Sequence, residues 1–216
     1  MRSGRVRMGM VGGGPGAFIG AIHRHAAALD GEIELVCGAF SADPTSSQSF
    51  GESLHLDSDR CYPNYATMFA EEAKRPASER MQFVTIVTPN YLHFDAARLA
   101  FEHGFHVFCE KPATMSTREA LELAQAKEAS DCHYALAHTY TGYPMIQEAR
   151  QLVAAGGLGR IVKVVVEYTQ GWLASSEDQS TKQASWRLDP LKAGVSCCMA
   201  DIGVHAANLA EYVCFS

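Results

Sequence analysis

No apolar run in the 216 residues approaches the length needed to cross a bilayer, so no membrane span is expected. Excess positive charge is missing as well. Eighteen Lys and Arg against 24 Asp and Glu leave a formal net charge of −6, which gives no electrostatic footprint for nucleic acid. The basic start Met1-Arg2-Ser3-Gly4-Arg5 runs directly into strand-like sequence without a signal-peptide core, which points to a cytoplasmic protein. Cys37, Cys61, Cys109, Cys132, Cys197, Cys198 and Cys214 are odd in number, and none stands in C-x-x-C spacing, so neither a metal site nor a redox pair is expected. What is present is an ordinary globular composition, 47% hydrophobic, which excludes a mostly disordered chain. Its length suits one large domain, or one complete domain and part of another.

Two periodicities alternate over the first 140 residues. Apolar runs at 6–11, 33–39, 83–87, 106–109 and 134–137 read as buried strands, that at 83–87 rich in β-branched residues. Helical spacing recurs at 17–29, 45–54, 64–74, 92–103 and 117–129. Ser116 and Glu119 stand at capping-box spacing ahead of the last of these. Strands separated by helices predict an α/β fold with a doubly wound parallel sheet. After Tyr140 the texture changes. A linking helix over 144–155 ends at Gly156-Gly157, and residues 161–168 predict a longer strand. Residues 171–199 are polar and without period, and a final helix is expected over 202–212. One strand and one helix cannot enclose a core, so residues 1–140 read as a complete dinucleotide-binding domain and 141–216 as the start of a second, truncated one.

Gly12-Gly13-Gly14-Pro15-Gly16-Ala17 fits G-x-G-x-x-G/A between the first strand and the first helix. There a pyrophosphate must approach backbone N–H groups at a helix N-terminus with no Cβ in the way. The acidic residue that takes the ribose of NAD at the end of the second strand is missing from Gly38-Ala39-Phe40-Ser41-Ala42-Asp43. Ser41 offers a hydrogen bond to a ribose or a 2′-phosphate, Phe40 a ring for the adenine, and Asp43 reads as a turn residue before Pro44. No Arg follows to pair a phosphate, so the cofactor leans to NAD with NADP left open.

Thr88-Pro89-Asn90 with His93, and Glu110-Lys111-Pro112, end two further strands on the edge where open α/β sheets bind ligands. In Asp201-Ile202-Gly203-Val204-His205 the i, i+4 pair of Asp201 and His205 can share a helix face. Taken singly, each segment is also explained by a charged turn or a helix cap.

In this order, with Trp186-Arg187, the segments resemble the Gfo/Idh/MocA oxidoreductases, the family of glucose–fructose oxidoreductase and inositol dehydrogenase. The stretch from Gly13 through Phe18 to Gly20, with Thr139-Tyr140-Thr141-Gly142-Tyr143-Pro144, is similar to a subgroup acting on sugars or anhydrosugars such as levoglucosan. The resemblance implies an N-terminal Rossmann domain and a C-terminal α/β domain of the dihydrodipicolinate-reductase-like type with a mostly antiparallel sheet. It places Lys111, Asp201 and His205 at the catalytic positions. Gly12, Gly14, Pro15, Gly16, Ala17, Phe18, Phe40, Ser41, Thr88, Pro89, Asn90, His93, Glu110 and Lys111 fall at the cofactor, and His138, Tyr140, Trp186 and Arg187 at a sugar or polyol substrate. It implies a dehydrogenase whose full-length form is a homo-oligomer. A non-catalytic cofactor-binding fragment or sensor, and a glycosidase using transient oxidation by NAD, remain alternatives. Two departures stand out: Gly194 is the one glycine in the segment 194–200, where the family is Gly-rich, and family members continue well past residue 216.

Overall fold

The computed structural model describes residues 4–175 and 181–215. The chain divides into two compact units, residues 1–136 and 137–216.

The first unit carries five parallel strands: β1 (Val6–Gly12), β2 (Ile33–Ala39), β3 (Phe83–Val87), β4 (His106–Cys109) and β5 (Tyr134–Leu136). Their order is β2-β1-β3-β4-β5. The helices between them are α1 (Phe18–Ala28), α2 (Pro44–Ser53), α3 (Tyr65–Lys74), α4 (His93–Glu102) and α5 (Thr117–Glu128). From β1 the chain steps outward to β2 through α1, then returns across β1 to β3 and continues to β4 and β5. Right-handed crossovers therefore put α1 on one face of the sheet and the later connections on the other. The reversal falls between β1 and β3, where a doubly wound sheet opens its ligand crevice at the strand C-termini.

Side-chain alternation along the strands separates two cores. Met8 and Met10 of β1 pack with Phe40 and Val87 under α1, whereas Val11, Val84 and Ile86 pack with Phe69, Met81, Phe101 and Phe105 under α3 and α4. Local chemistry sets where the helices begin. Asn64 Oδ1 accepts the Thr67 N–H (2.8 Å), and Ser116 Oγ accepts the Glu119 N–H (3.2 Å). Glu119 Oε2 reaches back to the Met115 N–H at 2.9 Å, one residue beyond the usual box.

The second unit holds α6 (Pro144–Ala154), α7 (Lys182–Arg187), α8 (Pro190–Ala193), a π-helical turn over Met199–Gly203 and α9 (Val204–Cys214). Helix α6 lies against α9, with the Arg150 guanidinium 4.5 Å from the Tyr212 ring centroid. Two expectations are corrected here. Residues 161–168 form no strand, and no antiparallel ladder is present among the described residues. A β-branched run prefers the extended state only where a neighbouring strand takes its N–H and C=O groups, and here Val162 and Val165 stand 84% and 66% exposed. The stretch expected to be irregular contains α7 and α8, started by Thr181 and Asp189, whose side chains accept the N–H of Ala184 and Leu191.

Candidate cofactor edge and catalytic residues

In the first unit the sequence-predicted cofactor residues lie at the C-terminal ends of β1, β2, β3 and β4, on either side of the reversal. At the Gly-rich turn two close approaches explain the glycines. A Cβ on Gly14 would stand 2.4 Å from the Phe40 carbonyl oxygen, and one on Gly20 would stand 2.4 Å from Gly13 Cα. Gly20 thus brings α1 onto the turn, the role usually given to the third glycine of the pattern. Arg24, one turn further along α1, donates from Nη1 to the Gly13 carbonyl (3.0 Å). Burial lowers its pKa.

Helix α1 starts differently from α2, α3 and α5. Asp43, Asn64 and Ser116 cap α2, α3 and α5 with a side-chain oxygen, whereas α1 is preceded by Ala17 and has no acidic residue in its first turn. Its leading N–H groups, at the positive end of the helix dipole, are free of a competing side-chain cap. Beside them Thr88 presents its methyl 3.0 Å from the position of a Gly12 Cβ. Thr88 Oγ1 is buried with no hydrogen-bond partner among the described residues. An uncapped helix end, a cradle that Cβ atoms would fill and an orphaned hydroxyl together fit an anionic, hydroxyl-bearing dinucleotide.

The end of β2 contributes less than expected. The Phe40 ring, expected over the adenine, is 3% exposed and packs edge-on to Phe50 (centroids 5.3 Å apart). What Phe40 offers the crevice is its carbonyl. Ser41 Oγ accepts the Asp43 N–H (3.2 Å), and Asp43 Oδ1 caps α2 through the Ser46 N–H (2.6 Å). Pro15 and Phe18 are exposed at the start of α1, with Gly16 beside them.

After β3, Asn90 is buried at the head of a 3-10 turn, Asn90–Leu92. His93 is only 1% exposed, with Nδ1 2.7 Å from the Pro112 carbonyl and Nε2 2.9 Å from that of Thr88. It therefore stands behind the crevice wall. After β4, Glu110 donates its N–H to Ile86 of β3 (2.9 Å), and the Lys111–Pro112 peptide is cis. Glu110 Oε1 lies 2.7 Å from His23 Nε2 on α1.

Burial pushes the pKa of His93 down from 6.5, against the two carbonyls and Glu110, which raise it, and with Lys111, which lowers it. As pH falls below 6.5 the unfolded chain binds this proton first. The contribution of His93 to stability is therefore complete above that value and is lost as pH drops through the lower native pKa. His106, lowered by burial and by His133, adds to the same slope. Urea unfolding at pH 7.5 and 5.5 is expected to show a smaller acid loss in His93→Gln than in the unsubstituted chain; equal losses would remove His93 from the account.

In the second unit Asp201 lies in the π-helical turn and His205 is the second residue of α9. Asp201 Oδ1 is 3.3 Å from Arg187 Nε, and the Arg187 guanidinium stacks over Trp186 (4.2 Å) and Trp172 (5.5 Å). His205 sits among rings: Tyr140 at 4.9 Å between centroids, His138 at 6.1 Å and Tyr168 at 6.4 Å. The Tyr140 and Tyr168 hydroxyls are hydrogen-bonded to each other, and Gln170 Nε2 donates to Tyr168 Oη (2.8 Å). The bond to Tyr168, with burial, raises the Tyr140 pKa to about 12, so its phenol stays protonated near neutral pH. Several of these contributors, His23 and Arg24 among them, had no role assigned from the sequence. Gly20 shows only as a spacing of seven from Gly13, and Tyr168, Gln170 and Trp172 are hidden in a run read as strand and loop.

The oxidoreductase family with an NAD-binding Rossmann fold, Gfo/Idh/MocA, matches residues 6–138, and the C-terminal domain of the same family matches residues 146–215. The chain belongs to this family. It is 36% identical over 210 residues to the uncharacterized oxidoreductase YfiI of Bacillus subtilis, a match covering 96% of this chain and 53% of that protein. With levoglucosan dehydrogenase of Pseudarthrobacter phenanthrenivorans it shares 32% identity over 130 residues, 60% of this chain and 32% of that one. Among solved structures, an inositol dehydrogenase homolog from Azotobacter vinelandii complexed with NAD+ superposes with a TM-score of 0.94 at 38% identity, over 98% of this chain and 54% of that one. The same homolog complexed with NADH and myo-inositol gives 0.89 at 37% identity, over 98% and 53%. The chain spans about half the length of the relatives it matches from end to end.

Proposed function

We propose that this chain belongs to an NAD-dependent dehydrogenase that oxidises a secondary hydroxyl of a sugar, anhydrosugar or polyol. The observation that carries the proposal is the uncapped N-terminus of α1 inside a cradle where Gly14 and Gly20 leave no room for a Cβ. The NAD-bound inositol dehydrogenase homolog and levoglucosan dehydrogenase support the cofactor and the substrate class.

The N–H groups opening α1 would hold the pyrophosphate, and Thr88 Oγ1 would meet a polar group of the cofactor. Thr88-Pro89-Asn90 and Glu110-Lys111 would flank the nicotinamide half. With Asp43 engaged as a helix cap and Ser41 Oγ already accepting a backbone N–H, the end of β2 holds no cation for a 2′-phosphate, which favours NAD over NADP. His205 would take the hydroxyl proton, and Asp201, itself anchored on Arg187, would hold that histidine in place and stabilise its positive charge. Lys111 would donate a hydrogen bond to the oxygen as negative charge develops on it. Tyr140, protonated and paired with Tyr168, and the stacked Trp186 and Arg187 would contact the sugar, with His138 beside them. The chemistry NAD supplies when bound is acceptance of the hydride from the carbinol carbon. Cytoplasmic location and homo-oligomeric assembly of the whole protein, both taken from sequence, belong to the same proposal, and sedimentation reads the second.

Titration with NADH and, separately, NADPH, followed by nicotinamide fluorescence, tests it. Saturable binding, tighter for NADH, is expected, and binding of neither to a folded chain would sink it. Product analysis with polyols then separates net NADH formation, which is expected, from sugar release without net NADH, which would mean glycoside cleavage.

A further inference from the structure

We infer that His23 is a positioning residue that fastens the Glu110-Lys111-Pro112 turn to the phosphate-binding helix, with His93 buried behind the turn and hydrogen-bonded there through a single N–H. This rests on the reading of the turn as part of the cofactor and catalytic edge.

Two atoms of the turn meet these histidines, Glu110 Oε1 and the Pro112 carbonyl oxygen. His23 stands on α1, one turn past the close contact of Gly20 with Gly13, and its Nε2 is 2.7 Å from Glu110 Oε1; both side chains are largely buried. Its ring is also braced edge-on against Phe108 of β4, with centroids 5.3 Å apart, so the imidazole has little freedom to leave the carboxylate. The second oxygen of Glu110 is occupied by the N–H of Lys111 at 3.2 Å. The carboxylate thus links the α1 imidazole to the backbone of the lysine. On the far side, His93 has the Pro112 carbonyl against Nδ1 and the Thr88 carbonyl against Nε2; the neutral ring carries one N–H, so it hydrogen-bonds one of the two and packs against the other.

The consequence is a mechanical link. Helix α1 meets the Gly-rich turn at Gly20 and the lysine turn through His23 within a single stretch of four residues. Any displacement of its N-terminus on binding a dinucleotide is carried to the backbone of Lys111. Neither histidine need touch cofactor or substrate, and His93, at 1% exposure, is walled off from both.

The test compares the unsubstituted chain with His23→Ala, His23→Gln, Glu110→Gln and the double variant His23→Ala/Glu110→Gln. NADH affinity, the thermal midpoint and the amide resonance of Lys111 are followed. Loss of one hydrogen bond to a charged group corresponds to about a tenfold change, so His23→Ala is expected to weaken NADH binding about tenfold and to shift the Lys111 amide. His23→Gln, which keeps a donor, should recover most of both effects. The double variant should be no weaker than Glu110→Gln alone, because the two residues act through one contact. An unmoved Lys111 amide, or a double variant losing the full product of the single losses, overturns the inference. If the unsubstituted chain binds no NADH, the cofactor proposal fails by itself, and the Lys111 amide shift read through the same cycle still decides the positioning. For His93, so buried that replacement can unfold the chain, the ring nitrogens of the unsubstituted protein are measured. A protonated, slowly exchanging nitrogen is expected, and an N–H that exchanges as freely as that of exposed His25 overturns its part.

Discussion

Glu72→Ala is expected to destabilise the first unit by about 3–5 kcal/mol, the cost of removing one partner from a buried ion pair. Glu72 is fully buried on α3, and every polar atom of its carboxylate is in use. Arg60 donates to it twice, from Nε at 3.0 Å and Nη2 at 2.7 Å; Tyr62 Oη is at 3.0 Å and the Met81 N–H at 2.9 Å. Alanine leaves the buried guanidinium, a phenol and a backbone N–H without this acceptor. Against a typical stability of about 5–15 kcal/mol, that loss is a large share of the whole. The pair itself is a different matter, since replacing both partners by apolar groups is often nearly neutral. Arg60→Met/Glu72→Met should therefore retain more stability than Glu72→Met, and urea midpoints of the two variants decide it. A loss below about 1 kcal/mol for Glu72→Ala would mean that water reaches the carboxylate and that the contacts are worth no more than surface pairs.

The network also shows where sequence stops being informative. The strands were legible because Val84, Ile86 and Val11 stand in short apolar runs bounded by turn residues, and the start of α5 because Ser116 and Glu119 stand at capping-box spacing. Such signals are local: a residue and its neighbours within one turn determine them. Glu72 was not legible, for it looks like any surface glutamate of an amphipathic helix until Arg60, Tyr62 and Met81 close over it from two other segments.

The same division runs through the candidate site. The Gly-rich turn, Thr88-Pro89-Asn90 and Glu110-Lys111-Pro112 could be found because each terminates a strand, and parallel strands present their C-termini on one edge. The direction of the Phe40 ring could not, because whether a strand-end side chain turns inward depends on the packing partner, here Phe50 of α2. The ion pair of Arg187 and Asp201, 14 residues apart, and the pairing of Tyr140 with Tyr168, 28 apart, depend on folds of the chain that no period records. Residues 161–168 show the converse. Their composition is that of a strand, but strand structure is a property of a pair, and composition supplies only one member.

Gly20→Ala is expected to raise the NADH dissociation constant about 100-fold, the equivalent of two charge-assisted hydrogen bonds to phosphate lost together. The added Cβ would lie 2.4 Å from Gly13 Cα, 3.0 Å from its oxygen and 3.1 Å from its carbonyl carbon. All three are backbone atoms, so no side-chain rotation relieves the contact. Either α1 withdraws from the sheet or the Gly-rich turn rotates, taking with it the Gly13 carbonyl that Arg24 holds. Both responses move the first N–H groups of the helix relative to the turn, and an anion bound by several converging donors loses more than one of them at once. Stability is the weaker readout, because two effects oppose. Alanine is favoured over glycine inside a helix by about 1 kcal/mol, whereas overpacking costs roughly 1–3 kcal/mol. The net change in melting is expected to be a modest loss while binding collapses. A raised melting temperature with NADH affinity intact would show that α1 is free to shift without disturbing the turn, and the contact of Gly20 with Gly13 would then be packing alone.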